Sequence, residues 1–258
     1  MWFHFLDNTH ILLFHTDGLF IYSINHAEPL CHLKLPDLEG GAKVVAHGLS
    51  IRPVAPPESN DEALFHHDPG LASLAITFYA HTASYHIPTV SEDREMYLLL
   101  ASCSAISDQL SRCRSHFAPH DRSIEVPWNS WGHDTCRLIR LLRNPCSISS
   151  FASKCAVLFP SIDCSTTSYD LFIFEVLPSA IIHRDTGTPL GERYFEMTDE
   201  LRTAQCLRAP VHGVHSTLPF RLTHRSIYYE DMSYDFIPPR VTLTDDGLLV
   251  AVSLGLHE

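Results

Sequence analysis

Short apolar runs separated by turn-forming residues dominate the chain and limit the folds that it can adopt. Near the start, residues 11–14 and 19–24 flank a His-Thr-Asp-Gly segment. An Asp-Gly pair favours a tight β-hairpin, because the turn needs positive φ angles that glycine accepts freely and aspartate tolerates. Residues 241–244 and 248–252 repeat this design around an Asp-Asp-Gly segment at the other end. We therefore expect an antiparallel hairpin at each end, as in folds that repeat one supersecondary unit.

Further apolar runs of similar length lie between the two hairpins. The predicted strands span residues 73–79, 96–102, 156–159, 169–176 and 218–223. Only residues 104–117 and 134–143 could sustain a helical turn or two, and neither stretch has clear start and stop signals. Because long helices do not alternate with the strands, the pattern argues against a doubly wound parallel sheet and favours an all-β fold.

An antiparallel, propeller-like fold built from short hairpins fits this pattern, and a sandwich is the related alternative. The chain has 258 residues, which corresponds to about five or six propeller blades at about 40–45 residues per blade. The recognisable strand pairs fill only about four or five blades, so a closed propeller and a partial propeller are both open. We expect residues 1–258 to form one β-rich, propeller-like domain, with an exposed loop in the proline-rich stretch at residues 52–61.

The charge balance limits the classes of molecule that the chain can bind, and the cysteines indicate the cell compartment in which it functions. The chain has 18 basic and 30 acidic side chains and a formal charge of −12, which repels a phosphate backbone, so we expect no nucleic-acid partner. No apolar stretch is long enough to span a bilayer, and the N-terminus lacks the basic start of a signal peptide, so we expect no membrane partner.

The eight cysteines form no Cys-x-x-Cys pair. We interpret them as reduced core residues of a cytoplasmic or nuclear protein.

The chain contains no convincing catalytic motif. The His-Arg-Asp at residues 183–185 resembles the catalytic loop of protein kinases, but Leu190 stands where that loop needs asparagine. The nucleophile elbow, the Ser-x-x-Lys pair, the His-Glu-x-x-His motif and the dinucleotide fingerprint are all missing from the sequence. We therefore expect no enzyme, no catalytic residue and no cofactor.

One group of residues has ligand types that suit tetrahedral zinc. It consists of Cys103, Cys113, His116 and His120. The spacing fits no common zinc finger, and a chain with 18 histidines and eight cysteines produces such groups by chance. We therefore expect no bound metal.

Residues 124–137 read Ile-Glu-Val-Pro-Trp-Asn-Ser-Trp-Gly-His-Asp-Thr-Cys-Arg. This stretch resembles the Val-Pro-Trp-x-x-Trp-Gly-Pro-x-x-Thr-Arg signature of the F-box protein families of mushroom-forming fungi, with His133 in place of a proline. The opening hairpin, residues 66–73, the Leu-Pro-Phe-Arg at residues 218–221 and the closing hairpin also resemble elements of these families. In those proteins the signature lies in a C-terminal, β-rich, propeller-like region.

The resemblance implies a surface that recruits substrates to a cullin-based ubiquitin ligase. In F-box proteins, N-terminal helices dock on the ligase through an adaptor. This chain starts within the β region, so the resemblance implies adaptor binding only if an F-box is encoded upstream of Met1. A fragment, a stand-alone remnant and a decayed paralogue without a present function are open alternatives.

Trp128 and Trp131 are the residues of the signature that we single out as anchors. They lie three residues apart between Pro127 and Gly132. This arrangement favours a core plug beneath a turn, since tryptophan is highly buried on average. Tryptophan is also enriched in interface hot spots, so an exposed anchor for a partner is the alternative.

Two functions compete on this basis. The first is a non-catalytic protein–protein interaction module with an unknown protein partner. The alternative is a small-ligand binder or hydrolase-like enzyme that uses His183, His212 and His215 in a propeller channel. A deep pocket where polar side chains converge would favour the second function over the first.

Overall fold

The computed structural model describes residues 2–15, 18–38, 43–50, 72–81, 94–116, 123–161, 168–176, 206–208, 211, 214–216, 218, 220–228, 236–244 and 247–254. The strands are Trp2–Phe5 (β1), His10–His15 (β2), Gly18–Ser23 (β3), Pro29–Lys34 (β4), Lys43–Ser50 (β5), Ser73–His81 (β6), Arg94–Ser102 (β7), Ile124–Val126 (β8), Cys136–Leu141 (β9), Ser147–Phe151 (β10), Lys154–Pro160 (β11), Ser168–Val176 (β12), Leu207–Arg208 (β13), Phe220–Tyr228 (β14), Phe236–Thr244 (β15) and Gly247–Leu254 (β16). The helices are Cys103–His116 (α1) and Trp128–Trp131 (α2).

The strands of the described ranges form three larger sheets and one separate hairpin. Sheet A has the order β1-β2-β3-β4-β8, sheet B has the order β13-β9-β7-β6-β5, and sheet C has the order β10-β11-β12-β14. Strands β15 and β16 form sheet D. In sheet A, β1 to β4 pair antiparallel and β8 pairs parallel with β4. Sheet C is antiparallel throughout. The prediction of an all-β fold with antiparallel sheets is confirmed.

Both predicted hairpins form. Strand β2 pairs antiparallel with β3 up to the His15–Gly18 pair, and β15 pairs antiparallel with β16 up to the Thr244–Gly247 pair. Strands β6, β7, β11 and β12 contain four of the other predicted strands, and the run at residues 218–223 corresponds to β14, which begins two residues later. Apolar run length therefore located these strands correctly.

The helical predictions need correction in both places. Where the sequence favours a turn or two at residues 104–117, α1 runs for 14 residues. Its buried side chains share one face at helical spacing; they are Ala105, Ile106, Gln109, Leu110 and Cys113. Packing of this face stabilises α1. Residues 134–143 contain strand β9 instead of a helix, because β9 pairs along its whole length with β7. Neither described helix is long and apolar enough to cross a membrane.

Contacts between residues divide the chain into two compact units. Unit 1 contains Met1–Leu49, Leu74–Leu142 and Arg208–Leu218. Unit 2 contains Ser50–Ser73, Arg143–Leu207 and Pro219–Glu258. The expectation of one domain over residues 1–258 stays a prediction. The exposed loop predicted at residues 52–61 lies outside the described residues.

Aromatic rings connect sheets A and B within unit 1. The Phe14 ring of β2 lies 6.4 Å from the Phe78 ring of β6 in edge-to-face geometry. Phe78 stacks in turn on Tyr97 of β7, with the ring centroids 5.5 Å apart. Residues 96–101 of β7 are buried on both faces of the strand. Strand β7 is therefore a central strand of this unit.

Sheets C and D share one hydrophobic cluster in unit 2. The cluster consists of Phe151, Ala152, Ala156, Leu158, Tyr169, Leu171, Val241 and Leu243. Two serine hydroxyls of β10 also join the sheets. Ser147 Oγ accepts the N–H of Val241 at 3.0 Å, and Ser149 Oγ accepts the N–H of Leu243 at 3.1 Å. These side chains satisfy backbone donors of β15 that would otherwise need another partner.

Candidate functional site

Sheet A has one buried face and one aromatic face. Alternate residues of a strand point to opposite faces of a sheet. On one face the side chains without solvent exposure are Leu12, Phe14, Leu19, Ile21, Cys31 and Leu33. The opposite face carries six large apolar side chains, which we call the aromatic face: Phe3, Phe5, Ile11, Leu13, Phe20 and Tyr22.

The strand register arranges the aromatic face in two rows. One row consists of Phe5, Ile11 and Tyr22, and the other consists of Phe3, Leu13, Phe20 and His32. Phe3 and Phe5 are 60% and 56% exposed, and the other four residues of the face are half-buried. Contiguous exposed apolar surface of this kind marks interaction sites on folded proteins.

Gly18 shapes the end of the second row. A Cβ atom at this position would lie 2.5 Å from His32 Nε2 and from the carbonyl oxygen of Leu33. The φ angle of Gly18 lies outside the left-handed region, and the residue pairs with His15 as the first residue of β3. The expectation that this glycine supplies a positive φ is therefore wrong. Glycine is needed because the His32 ring occupies the side-chain space, where it stacks on Phe20 at 4.1 Å.

Charged groups border the aromatic face at two edges. At β8, Glu125 Oε2 lies 2.7 Å from Lys34 Nζ. At the turn after β1, the Asp7 carboxylate accepts the N–H of Thr9 at 2.6 Å and contacts His10 Nδ1 at 2.8 Å. Burial alone would raise the pKa of Asp7, but the hydrogen bonds with His10 and Thr9 outweigh it and lower the pKa to about 2. Asp7 therefore stays ionised beside an uncharged face.

The two signature tryptophans are buried in unit 1. Trp128 is 8% exposed and Trp131 is 2% exposed, and their rings meet edge to face at 5.4 Å. Trp128 Nε1 donates to the carbonyl of His215 at 3.1 Å, and Trp131 Nε1 donates to the carbonyl of Lys34 at 2.8 Å. The α2 turn thus ties the end of β4 to the segment at residues 214–216. Little indole surface is left for a partner.

The order Pro-Trp-x-x-Trp-Gly follows from the packing of this turn. Pro127 precedes α2 with a φ of −68°, which its ring favours. The three-residue spacing places both indoles on one side of a single helical turn. A Cβ atom on Gly132 would collide with the Trp128 ring, and the Gly132 amide donates to the Trp128 carbonyl at 2.7 Å. These contacts account for each residue type of the motif without a partner.

Unit 2 contains a buried polar pair that sequence reasoning missed. His224 Nε2 of β14 lies 3.0 Å from Asp170 Oδ1 of β12, and both side chains are almost fully buried. The imidazole stacks on Phe172 at 4.7 Å. Ser226 Oγ donates to the same carboxylate oxygen at 3.4 Å. The two strands pair directly, so sheet register creates this contact between residues 54 apart in the chain.

Two of the four zinc candidates, Cys103 and Cys113, do not come together. Cys103 and Cys113 lie ten residues apart on α1, about 15 Å along the helix axis, so one ion cannot bind both. Burial, together with a hydrogen bond with the Cys113 thiol, raises the pKa of Cys31 above its usual range. His116 ends α1, and His120 lies outside the described residues. Within the described ranges, no group of three or more ligand-type side chains could hold a metal ion.

The histidines of the alternative function are only partly described. His183 and His212 lie outside the described residues. His215 is exposed, and its ring lies 6.0 Å from the ring of His133 in unit 1. The small-ligand or hydrolase-like alternative therefore stays a prediction.

Comparison with protein-family models, with curated proteins and with solved structures finds no match to this chain. The F-box resemblance rests on the signature residues themselves.

The aromatic face also escaped the sequence analysis, although a signal for it exists. Residues 11–14 and 19–22 are apolar at every position. Alternating polarity is the usual pattern of a strand with one solvated face. The uninterrupted apolar runs of β2 and β3 therefore indicate a second apolar surface on sheet A, here the one that faces solvent.

Proposed function

We propose that this chain is a non-catalytic protein-interaction module that binds a protein partner on the aromatic face. The observation that carries the proposal is the exposed apolar side of sheet A, whose opposite side packs into the core of unit 1. A rigid sheet with a buried reverse side holds its outer side chains in fixed positions, which lowers the entropic cost of binding. Apolar centres with polar rims are characteristic of protein interfaces.

The chemistry of the face defines the partner. The six residues of the aromatic face carry no charge, and the charged groups at its rim, Glu125 and Asp7, already have hydrogen-bonding or ionic partners. The partner surface should therefore be apolar at its centre and uncharged where it covers Phe20 and Tyr22. Nucleic acid does not fit this chemistry, because no basic cluster lies on the face.

The narrower proposal is that the partner is a substrate recruited for ubiquitination. Its support is the Pro-Trp-x-x-Trp-Gly signature at residues 127–132 and the resemblance that these residues carry. We further propose that sheets A, B and C are blades of a partial propeller. In each of these sheets, four neighbouring strands lie side by side in the order in which they occur in the chain, as in a propeller blade.

We assign the protein to the cytoplasm or the nucleus. The seven described cysteines are free thiols, and free thiols persist in reducing compartments. Imaging of a fluorescently tagged chain in its source cells tests this assignment, and accumulation in the secretory pathway would contradict it.

Charge substitutions on the aromatic face test the binding proposal. The variants are Leu13→Glu and Tyr22→Glu, which lie on β2 and β3 away from the sheet edge. The matched control is Leu249→Glu, at a 60% exposed leucine of unit 2. Tagged wild-type chain captures partners from its source cells, and each purified candidate is then titrated by calorimetry. A carboxylate placed in an apolar interface should weaken binding by more than about tenfold.

The two outcomes are distinct. A partner that loses affinity for both face variants and keeps it for Leu249→Glu supports the aromatic face as the binding site. A partner that binds all three proteins equally, with folding verified by near-ultraviolet circular dichroism, refutes it. Unchanged ubiquitination of a genuine partner in cells that carry the face variants would refute only the narrower ligase proposal.

A further inference from the structure

Strand β1 is an edge of sheet A that nothing in its sequence protects. Its only neighbour among the described strands is β2. Natural proteins usually blunt such edges with charged residues, prolines or bulges. The four residues Trp2–Phe5 include no charged residue other than titratable His4 and no proline, and the pairing with β2 is regular.

The hydrogen-bond pattern shows which backbone groups of β1 face outward. The N–H of Leu6 donates to the carbonyl of His10 at 2.9 Å. Hydrogen-bonded pairs alternate along an antiparallel ladder, so the next such pair is His4 with Leu12. The N–H and C=O groups of Phe3 and Phe5 therefore point away from β2, towards the open edge.

We propose that two copies of this chain pair through their β1 strands, antiparallel, with His4 opposite His4 of the second copy. In this register Phe3 lies opposite Phe5 of the second copy, and the reverse pair is equivalent by the two-fold axis. The outward groups of Phe3 and Phe5 then form four backbone hydrogen bonds. The register also keeps all four phenyl rings on one face, because opposite residues of a ladder share a face.

The two-fold axis of such a pair is perpendicular to the sheet, so the aromatic faces of both copies form one continuous surface. This inference goes beyond the binding proposal, since it predicts self-association in the absence of any partner. Both copies would then offer their faces to the same side, which favours bivalent partners.

Charge does not oppose this pairing strongly. Unit 1 contains 12 acidic and nine basic side chains, a formal charge of −3, whereas unit 2 contains 18 acidic and nine basic side chains, a formal charge of −9. The open edge therefore belongs to the nearly neutral unit. Burial lowers the pKa of His4, which keeps the two facing imidazoles neutral at pH 7. Because unit 1 is nearly neutral, it also attracts a basic strand of another protein only weakly.

The buried area predicts a weak dimer. Phe3 and Phe5 are 60% and 56% exposed, so side-by-side packing of the four rings removes at most roughly 400–500 Å² from water. Stable interfaces bury about 1,200–2,000 Å² in total. We therefore expect a reversible dimer with a dissociation constant of about 100 µM.

Sedimentation equilibrium of the full chain, from about 10 µM to about 1 mM, tests the proposal. The wild-type protein should change from monomer to dimer across this range. Phe5→Ser should weaken the association by more than tenfold, because it removes two of the four rings in the dimer. Tyr228→Ser, at a 63% exposed aromatic residue of unit 2, is the matched control and should leave the association unchanged.

Cysteine cross-linking tests the register. At a non-hydrogen-bonded pair the Cα atoms lie about 4.5 Å apart, close enough for a disulfide. With oxidised glutathione as the oxidant, two His4→Cys thiols lose two protons and two electrons and form one disulfide, and glutathione disulfide becomes two glutathione thiols. Phe3→Cys should not cross-link, since the two copies of residue 3 are about 8 Å apart in this register.

Each result decides the question. A concentration-dependent dimer that is weakened by Phe5→Ser, retained by Tyr228→Ser and cross-linked by His4→Cys supports the pairing. A protein that stays monomeric at about 1 mM overturns the proposal, as does cross-linking of Phe3→Cys in preference to His4→Cys. The test involves no partner, so its failure leaves the binding proposal for Leu13 and Tyr22 unaffected.

Discussion

Gly18 and Gly132 stand where a side chain would collide with a ring. At Gly18 the ring is the imidazole of His32, and at Gly132 it is the indole of Trp128. In neither case does a positive φ explain the glycine. Close approach of an aromatic or imidazole ring is therefore the physical reason for glycine at both positions. These ring contacts can be identified only from the tertiary structure.

Gly132→Ala should destabilise the protein by about 1–3 kcal/mol, because the added methyl group forces the Trp128 indole out of its packed position. Urea unfolding followed by tryptophan fluorescence measures the loss. Asn129→Ala, at an exposed position of the same turn, should change stability by less than about 0.5 kcal/mol. Equal stability of Gly132→Ala and wild type would show that the indole pair has room to move.

His224→Leu should destabilise the protein by about 3 kcal/mol, since it leaves the buried Asp170 carboxyl group without its histidine partner. The matched control is Ser226→Ala, whose longer 3.4 Å bond to the same oxygen should contribute only about 1 kcal/mol. Chemical denaturation of the three proteins gives the comparison. A smaller loss for His224→Leu than for Ser226→Ala would contradict this assignment.

At the scale of elements, polar strands form where their side chains make hydrogen bonds or ion pairs with a neighbouring strand. Strand β10 reads Ser-Ile-Ser-Ser-Phe, which lacks the apolar run that marks β11 and β12. It pairs with β11, and its hydroxyls accept backbone donors of β15. Strand β9 carries two arginines, and Arg140 reaches Glu95 of β7 at 2.5 Å. Run length alone could not find these two strands.

Ser147→Ala and Ser149→Ala should each destabilise the attachment of sheet D to sheet C by about 1–2 kcal/mol, because each leaves an N–H of β15 without its acceptor. Hydrogen exchange read at the amides of Val241 and Leu243 should accelerate. Ser107→Ala, on the exposed surface of α1, should leave these rates unchanged. Unchanged exchange in both β10 variants would mean that the hydroxyls are dispensable.

The turn between β1 and β2 should make a small, acid-sensitive contribution to stability. Its Asp7 carboxyl has a pKa of about 2 in the folded chain against an ordinary value of 3.8. A lowered folded pKa stabilises the fold above about pH 3.8, and this contribution is lost as the pH falls through about 2. Asp7 is 46% exposed, so solvent screening keeps the effect below about 1 kcal/mol.

The measurement is the stability difference between wild type and Asp7→Asn at several pH values. We expect the wild type to be more stable at pH 5 and the two proteins to converge near pH 2. Asn8→Ala, at the neighbouring exposed residue, serves as the control and should show no such convergence. A constant difference between wild type and Asp7→Asn at all pH values would be inconsistent with the titration of Asp7.

At the scale of the whole molecule, the path of the chain links the two units. The chain passes between them five times, at the boundaries after residues 49, 73, 142, 207 and 218. Strands β5, β6 and β13 each contain one of these boundaries. Because no unit is a continuous stretch, neither can form without residues from several distant parts of the sequence. Such interleaving favours cooperative unfolding.

Buried thiols provide a readout of this cooperativity. Burial raises the pKa of Cys155 in unit 2 to about 12 and raises the pKa of Cys136 in unit 1, so neither thiol should react in the native protein at pH 8. Pulsed alkylation across a urea series should label both at the same midpoint. Tyr228→Ser, at an exposed position, is the control and should not change either labelling midpoint. Labelling at two separate urea concentrations would mean two domains rather than one.

The sequence by itself determined the class of fold and located both hairpins and strands β6, β7, β11 and β12, because spacing between turn residues limits strand length directly; it did not predict β5. It also indicated the tight turn around Trp128 and Trp131, since proline, tryptophan and glycine have strong local preferences. Only the tertiary structure decided which side of sheet A is buried. Residues 11–14 and 19–22 are apolar on both faces of their strands, so the local sequence pattern does not show which face is buried. The contact of Phe14 with Phe78 buries the face that contains Phe14. The opposite face is left towards solvent as the aromatic face.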